Sequence, residues 1–197
     1  MYGKTEAGVG LPVLVDSSGK LLTKRIGSPY YDNRRNIYLT ANQTGCVWTV
    51  GLATTYTGLC LSNPLGSGKN LSLLGVSHQE VVAPTGIAAV YLAGLYHATA
   101  VTHTTPAAVT RASLGAAAVA SVAKADTGAT LPAAPTIMLN LTAGHTSGAL
   151  STSAAPAFIP LDGMITIEPG GFVIIANFTI GVAVGQQGAF IWEEIDE

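Results

Sequence analysis

Charged side chains are scarce in this sequence. Asp, Glu, Lys and Arg make up 10% of its 197 residues, whereas an ordinary soluble domain carries roughly 25%. Only five charged residues lie between Asn36 and Leu161: Lys69, Glu80, Arg111, Lys124 and Asp126. Lone proteins usually keep enough charge to resist association. We therefore predict that neighbouring chains cover much of this surface. The alternative is a monomer coated with Ser and Thr.

Export and membrane signals are also missing from the sequence. The first residues, MYGKTEAG, are not a basic residue followed by an apolar run, so no secretory signal is predicted. The most apolar stretch, Ile87 to Val101, contains His97 and is shorter than the ~20 residues that span a bilayer, so no contact with a membrane is predicted. Cys46 and Cys60 lack the paired spacing of a zinc or redox motif. Two buried free thiols are expected, with a disulfide between neighbouring strands as the alternative.

Motifs for catalysis, metals and cofactors are not found. The four histidines, His78, His97, His103 and His145, show no metal-ligand spacing. No G-x-S-x-G motif is present, and the carboxylates are too few to offer many acid and base pairs. We therefore predict no enzymatic activity, no bound metal and no cofactor.

One segment, NPLGSGKN at residues 63–70, shares the Gly-Lys pair of a phosphate-binding loop. It lacks the Gly that should stand five residues before that pair and the Ser or Thr that should follow the lysine. We interpret it as a hairpin turn that links GLCLS to NLSLL. A second turn is predicted at EPGG, residues 168–171, where FVIIANF would follow as the partner strand of GMITIE.

Short apolar runs separated by turn residues dominate the chain after residue 36, and helix signals are weak. Strands are predicted near Ile37–Thr40, Cys46–Val50, Gly58–Ser62, Asn70–Val82, Ile87–His97, Ala107–Leu114, Ala117–Ala123, Thr136–Leu141, Gly163–Ile167, Phe172–Ile180 and Ala189–Ile195. The predicted fold class is all-β: a single antiparallel β-sandwich of about eight strands, jelly-roll-like, with an extended N-terminal arm. Residues 1–45 form the arm and its hairpin, and residues 46–197 form the sandwich. Loops or thin strands rich in Ala, Thr and Gly are expected around 99–160.

The N-terminal arm carries most of the positive charge. Six of the nine basic residues lie in the first 35 positions, interleaved with LPVLV and SPYY. We predict that LPVLV adds a strand to the exposed sheet edge of a neighbour. Acidic groups on a protein are favoured over nucleic acid as the partners of the basic side chains. The predicted assembly contacts are Leu11, Val13, Val15, Lys24, Arg25, Arg34 and Arg35, with Trp192, Glu193 and Glu194 on a closing strand near a sheet edge.

The order of several segments resembles that of structural proteins encoded by tailed bacteriophages. These segments are PVLVDSSGKLL, TGLCLSNPLGSGKNLSLLGV, LPAAPTIM and IPLDGMITIEPGGFVIIA, followed by AFIWEEI near the end. The resemblance covers most of the chain, although no segment is a diagnostic signature.

The resemblance implies a non-enzymatic subunit of the virion. Small proteins of this type are often jelly-roll sandwiches that decorate or cement capsids, form the base of head fibres or belong to tail assemblies. It also implies a homo-oligomer, commonly a trimer, that contacts other virion proteins such as the major capsid protein. The alternative is a tail protein or a module that binds receptors or carbohydrates.

Overall fold

The structure is a computed structural model that describes residues 2–4, 10–12, 36–81, 88–112, 120–145, 157–177 and 185–197. The chain divides into two units, Met1–Asp32 and Asn33–Glu197. In the first unit, β1 (Tyr2–Lys4) and β2 (Gly10–Pro12) pair antiparallel as a two-stranded sheet, with Leu11 opposite Gly3.

The second unit is built of β-strands in its described residues. These are β3 (Ile37–Ala41), β4 (Cys46–Val47), β5 (Thr55–Ser62), β6 (Lys69–Glu80), β7 (Ala88–Tyr96), β8 (Thr102–Pro106), β9 (Val109–Arg111), β10 (Lys124–Thr130), β11 (Thr136–His145), β12 (Ala157–Ile167), β13 (Gly171–Asn177) and β14 (Gly185–Asp196). The all-β prediction is confirmed.

Two antiparallel sheets pack against each other. One has the order β11-β7-β13-β5-β10-β8, and the other has the order β12-β6-β14-β3-β9, with β4 also paired to β14. Eight of these strands form two four-stranded rows, β12-β6-β14-β3 and β11-β7-β13-β5. Along the chain these eight strands alternate between the sheets except at the step from β7 to β11. This is the strand order of a jelly roll, so the predicted fold is confirmed.

Three further strands, β8 to β10, are inserted between β7 and β11. β8 and β10 extend one sheet beyond β5, and β9 extends the other sheet beyond β3. The two residues that join β8 to β9 cross between the sheets: the Ala107 amide donates to Ala125 O at 2.8 Å, and Thr40 Oγ1 donates to Ala108 O at 2.9 Å. The insertion therefore bridges the two sheets on this side of the sandwich.

Both predicted hairpin turns are corners instead. NPLGSGKN joins β5 to β6 and EPGG joins β12 to β13, and in each case the two strands belong to different sheets. A hairpin prediction assumes that neighbouring strands pair, whereas a jelly roll sends most successive strands to opposite sheets. Within EPGG, Gly170 has a positive φ of 94°, which glycine adopts without steric cost.

Several boundaries differ from the prediction. β3 pairs with β14 inside the sheet, so the sandwich begins before residue 46. The strand predicted at 117–123 is wrong in its described part, because the strand starts only at Lys124. The stretch 99–160 also holds more strand than predicted, since β8 and β10 lie in it. β8 is rich in Thr and β10 contains Thr and Ala, and both lack the apolar alternation that marks a strand in sequence.

The main core lies between the sheets. Trp48, Leu73, Phe190 and Trp192 are buried there with apolar residues of the opposite sheet. A second buried cluster, which includes Ile174, lies on the other face of the β5-β7-β13 sheet, and loop residues contribute to it. Because both faces of this sheet are buried, every residue of β13 is buried.

Candidate assembly surface

The predicted contacts Trp192, Glu193 and Glu194 all lie in β14 but differ in their exposure to solvent. Trp192 is 0% exposed and stacks on Tyr38 with ring centroids 6.1 Å apart. Glu194 is also buried, and only Glu193 is partly exposed. β14 is moreover the central strand of its sheet and not an edge strand. Trp192 and Glu194 therefore belong to the interior, which corrects their assignment as surface contacts.

The arm contacts are mostly outside the described residues. Leu11 lies in β2 and pairs with Gly3. The other predicted contacts of the arm fall outside the described ranges: Val13, Val15, Lys24, Arg25, Arg34 and Arg35. Of the segment LPVLV, only Leu11 and Pro12 lie within the described residues.

Exposed apolar side chains gather on the side of the sandwich opposite the β8–β10 insertion. There the sheets end in the edge strands β11 and β12. Ile137 and Met138 of β11 are 39% and 49% exposed, and Met164 of β12 is 78% exposed. We call this surface the β11/β12 side. Exposed apolar side chains that lie together mark interaction surfaces more often than isolated ones do.

A groove of about 210 Å³ opens between the sheets on the β11/β12 side. Tyr96, Met138 and Ile165 line it together with backbone and side chains of β13. Ile165 also packs against the main core, so the groove gives access to the apolar interior. Its chemistry therefore suits an aliphatic or aromatic side chain better than a polar ligand.

The two corners shape the rim of this groove. Asn63 joins them: its backbone amide donates to Gly171 O at 2.9 Å, and its side-chain amide donates to Ile167 O at 2.9 Å. A Cβ atom added to Gly170 would lie 2.8 Å from Leu65 and 3.1 Å from the Tyr96 ring. Only glycine fits at this point, and it lets Leu65 and Tyr96 approach each other at the surface.

The lining of the groove carries little charge, and that charge is negative. Among the described residues, Glu168 is the only charged one that lines it. The three basic residues of the sandwich, Lys69, Arg111 and Lys124, do not line the groove. Lys69 instead forms an ion pair with Asp196. A partner that approaches Glu168 therefore meets a negative charge and no positive charge in the described lining of the groove.

A second set of chemically active groups lies on the opposite side, in the β5-β10-β8 part of the sheet. The carboxylate of Asp126 is fully buried, and its Oδ2 contacts His103 Nδ1. Burial, and next the charge of Asp126, raise the pKa of the Cys60 thiol. A thiol held in its neutral form is a poor nucleophile. Among the described residues no group of three or more His, Cys, Asp and Glu is arranged to hold a metal ion.

Sequence reasoning missed the groove, although the sequence carried a signal for it. In TIMLNL, at residues 136–141, three consecutive apolar residues cannot all point into the core, because side chains alternate along a strand. In GMITIE the same alternation places Met164 on the face opposite Ile165. Both patterns predict apolar residues at the surface, but only the topology shows that β11 and β12 lie beside each other.

Comparison with known proteins gives no relative. No protein-family model, no curated protein and no solved structure matches this chain. Within the described residues, no helix is long and apolar enough to cross a membrane.

Proposed function

We propose that this protein is a non-enzymatic structural subunit of a tailed-phage virion. Its role would be that of a capsid decoration or cement protein, or of the base of a head fibre, in contact with the major capsid protein. It works as a homo-oligomer, for which we propose a trimer, and docks through its N-terminal arm. The assignment to a virion rests on the sequence resemblance.

The exposed apolar residues of the β11/β12 side carry the proposed role in assembly. Tyr96 is 61% exposed, and it lines the groove together with Met138, which is 49% exposed. Such a surface is costly to leave in water and is stabilised when a partner covers it. The scarcity of charge over the whole sandwich supports the same conclusion.

Native mass spectrometry of the full chain tests the proposal. We expect a defined oligomer, and we expect Tyr96→Glu to shift it toward the 20.0 kDa monomer. The control is Val50→Glu, since Val50 is 40% exposed but does not line the groove. A monomer at every concentration would refute the proposal. Electron microscopy of particles that carry the labelled protein then identifies its place in the virion.

A carbohydrate-binding role in the same virion is the second candidate. It is favoured by one observation, the exposed ring of Tyr96 in a groove that also contains the carboxylate of Glu168. An aromatic platform beside a hydrogen-bond acceptor is a suitable lining for a sugar ring. A glycan array separates the two roles. If the protein binds carbohydrate, the wild type should bind glycans on the array and Tyr96→Ala should abolish this binding. If its role is structural only, the wild type should bind none of them.

A further inference from the structure

We propose that residues 10–15 of a second copy of this chain bind in the groove of the β11/β12 side. This inference rests on the proposed assembly function and names the partner of that surface. Three features support it: a short strand pair that has no third strand among the described residues, an open apolar groove, and opposite charges on the two parts.

The first observation concerns the pair of strands β1 and β2. Each has three residues, and in the described part of the chain they form a sheet with no third strand. An isolated two-stranded sheet is marginally stable in water. One edge of β2 is paired with β1, and among the described residues no strand pairs with its other edge. The sequence from residue 11, LPVLV, is apolar throughout.

The second observation is the fit of the groove to such a segment. Its volume of about 210 Å³ exceeds the ~150 Å³ of a cavity that accommodates benzene, so an aliphatic side chain can enter between the sheets. In the described residues, β11 and β12 are each paired with a strand on one side only. An added strand can therefore form backbone hydrogen bonds at the edge while alternate side chains enter the groove.

The third observation is the charge of the two parts. Residues 1–35 contain six basic and three acidic side chains, whereas residues 36–197 contain three basic and eight acidic ones. Glu168 lines the groove, and exposed Asp162 lies in β12. Lys20, Lys24 and Arg25 follow the apolar segment closely in sequence. Opposite charges of this kind set the orientation and the rate of association, while apolar contacts and strand pairing supply the affinity.

Cysteine cross-linking tests the site directly. Full-length Leu11→Cys and Met138→Cys proteins are co-expressed, so that only contacts between copies can join them. Mild oxidation should give a disulfide-linked pair, identified by mass spectrometry of its peptides. The matched control combines Leu11→Cys with Val47→Cys, since Val47 is 51% exposed but is not part of the groove. A mixture of Leu11→Cys with the wild type measures the background from Cys46.

The outcomes separate this inference from the proposed function. Strong cross-linking through position 138, with only background at position 47, supports it. Equal cross-linking at both positions in an oligomer overturns the binding site and leaves the proposed function standing. A protein that stays monomeric overturns both. A link that forms only within one chain of a Leu11→Cys/Met138→Cys double variant overturns the exchange between copies.

Affinity gives an independent measurement. Met138→Asp should weaken self-association by about tenfold or more, because it puts a carboxylate beside Glu168 in an apolar groove. Val47→Asp should change it by less than about twofold. Circular dichroism confirms that both variants keep the fold, and equal effects of the two substitutions would refute the proposed site.

Discussion

Glu194 accepts a hydrogen bond from the hydroxyl of Ser121 at 2.5 Å and a second one from the Val122 amide at 3.0 Å. The carboxylate belongs to the central strand of one sheet, and its two donors precede β10 of the other sheet. This contact ties the β8–β10 insertion to the eight-stranded roll. A buried carboxylate at this position is therefore a structural group.

Replacing Glu194 by alanine should lower the free energy of unfolding by about 2 kcal/mol, because a partly buried hydroxyl and a partly buried amide lose their acceptor. The control is Glu193→Ala on the same strand, which should cost less than about 0.5 kcal/mol. Urea unfolding followed by tryptophan fluorescence measures both. Equal destabilisation by the two substitutions would show that the hydrogen bonds contribute little.

The contact of His103 with Asp126 should stabilise the insertion. His103→Ala removes the partner of a fully buried carboxylate; because the imidazole itself is 32% exposed, the expected cost is about 1–2 kcal/mol. Substituting alanine at both positions should cost less than the single change at His103, since no buried charge then remains. Thr104→Ala, an exposed change on the same strand, is the control. A double-mutant cycle by chemical denaturation gives the coupling, and strictly additive effects would contradict the prediction.

Stability should fall in alkaline solution because of Tyr56. Burial raises the pKa of its hydroxyl well above the ordinary value of 10.0, and this hydroxyl donates to Ile175 O at 2.5 Å. As the pH rises, the Tyr56 hydroxyl of the unfolded chain therefore loses its proton at a lower pH than that of the folded protein. The contribution of the Tyr56 hydroxyl to the free energy of unfolding is complete below about pH 10. It is lost as the pH rises toward the pKa of this hydroxyl in the folded state.

Tyr56→Phe should reduce this loss of stability between about pH 8 and about pH 11, and it should cost about 1 kcal/mol at neutral pH for the missing hydrogen bond. Tyr96→Phe, at an exposed position, is the control. Urea titrations at both pH values measure the effect. An unchanged pH dependence in the Tyr56 variant would exclude this residue as the cause.

The two thiols should differ from ordinary cysteines in reactivity. The thiols are free, and burial raises the pKa of both. Cys60 is fully buried and Cys46 only partly. In a Cys46→Ser variant we expect no reaction of Cys60 with a disulfide reagent until denaturant is added. Rapid labelling of the native variant would show that its interior opens readily.

The fold was largely predictable because the interior strands follow simple patterns. The alternation in AFIWEEI puts Phe190, Trp192 and Glu194 on one face of the strand, and the structure buries that face, although Trp192 and Glu194 were predicted as assembly contacts. The same pattern could not show that β14 is central, because pairing partners such as Tyr38 lie far away in sequence. A buried Glu194 was also unexpected, since its donor Ser121 lies in a stretch rich in alanine that has no distinct pattern.

The assembly surface was less predictable than the fold. The count of charged residues was enough to predict a surface poor in charge, because this count does not depend on how the strands are arranged. They could not show where the apolar residues meet. Leu65, Tyr96 and Met138 come from three separate elements, and only the corner at Gly170 and the strand order bring them near one groove.

The position of β14 has a consequence for biosynthesis. It pairs with β3 on one side and with β6 on the other, so the last described strand joins elements made much earlier. A chain still emerging from the ribosome cannot complete this sheet until residue 196 is free. The sandwich therefore forms only after synthesis of this strand. Pairing between such distant parts of a chain also slows folding. Chains that stop earlier would lack the interior Phe190 and Trp192 and would not complete the sandwich.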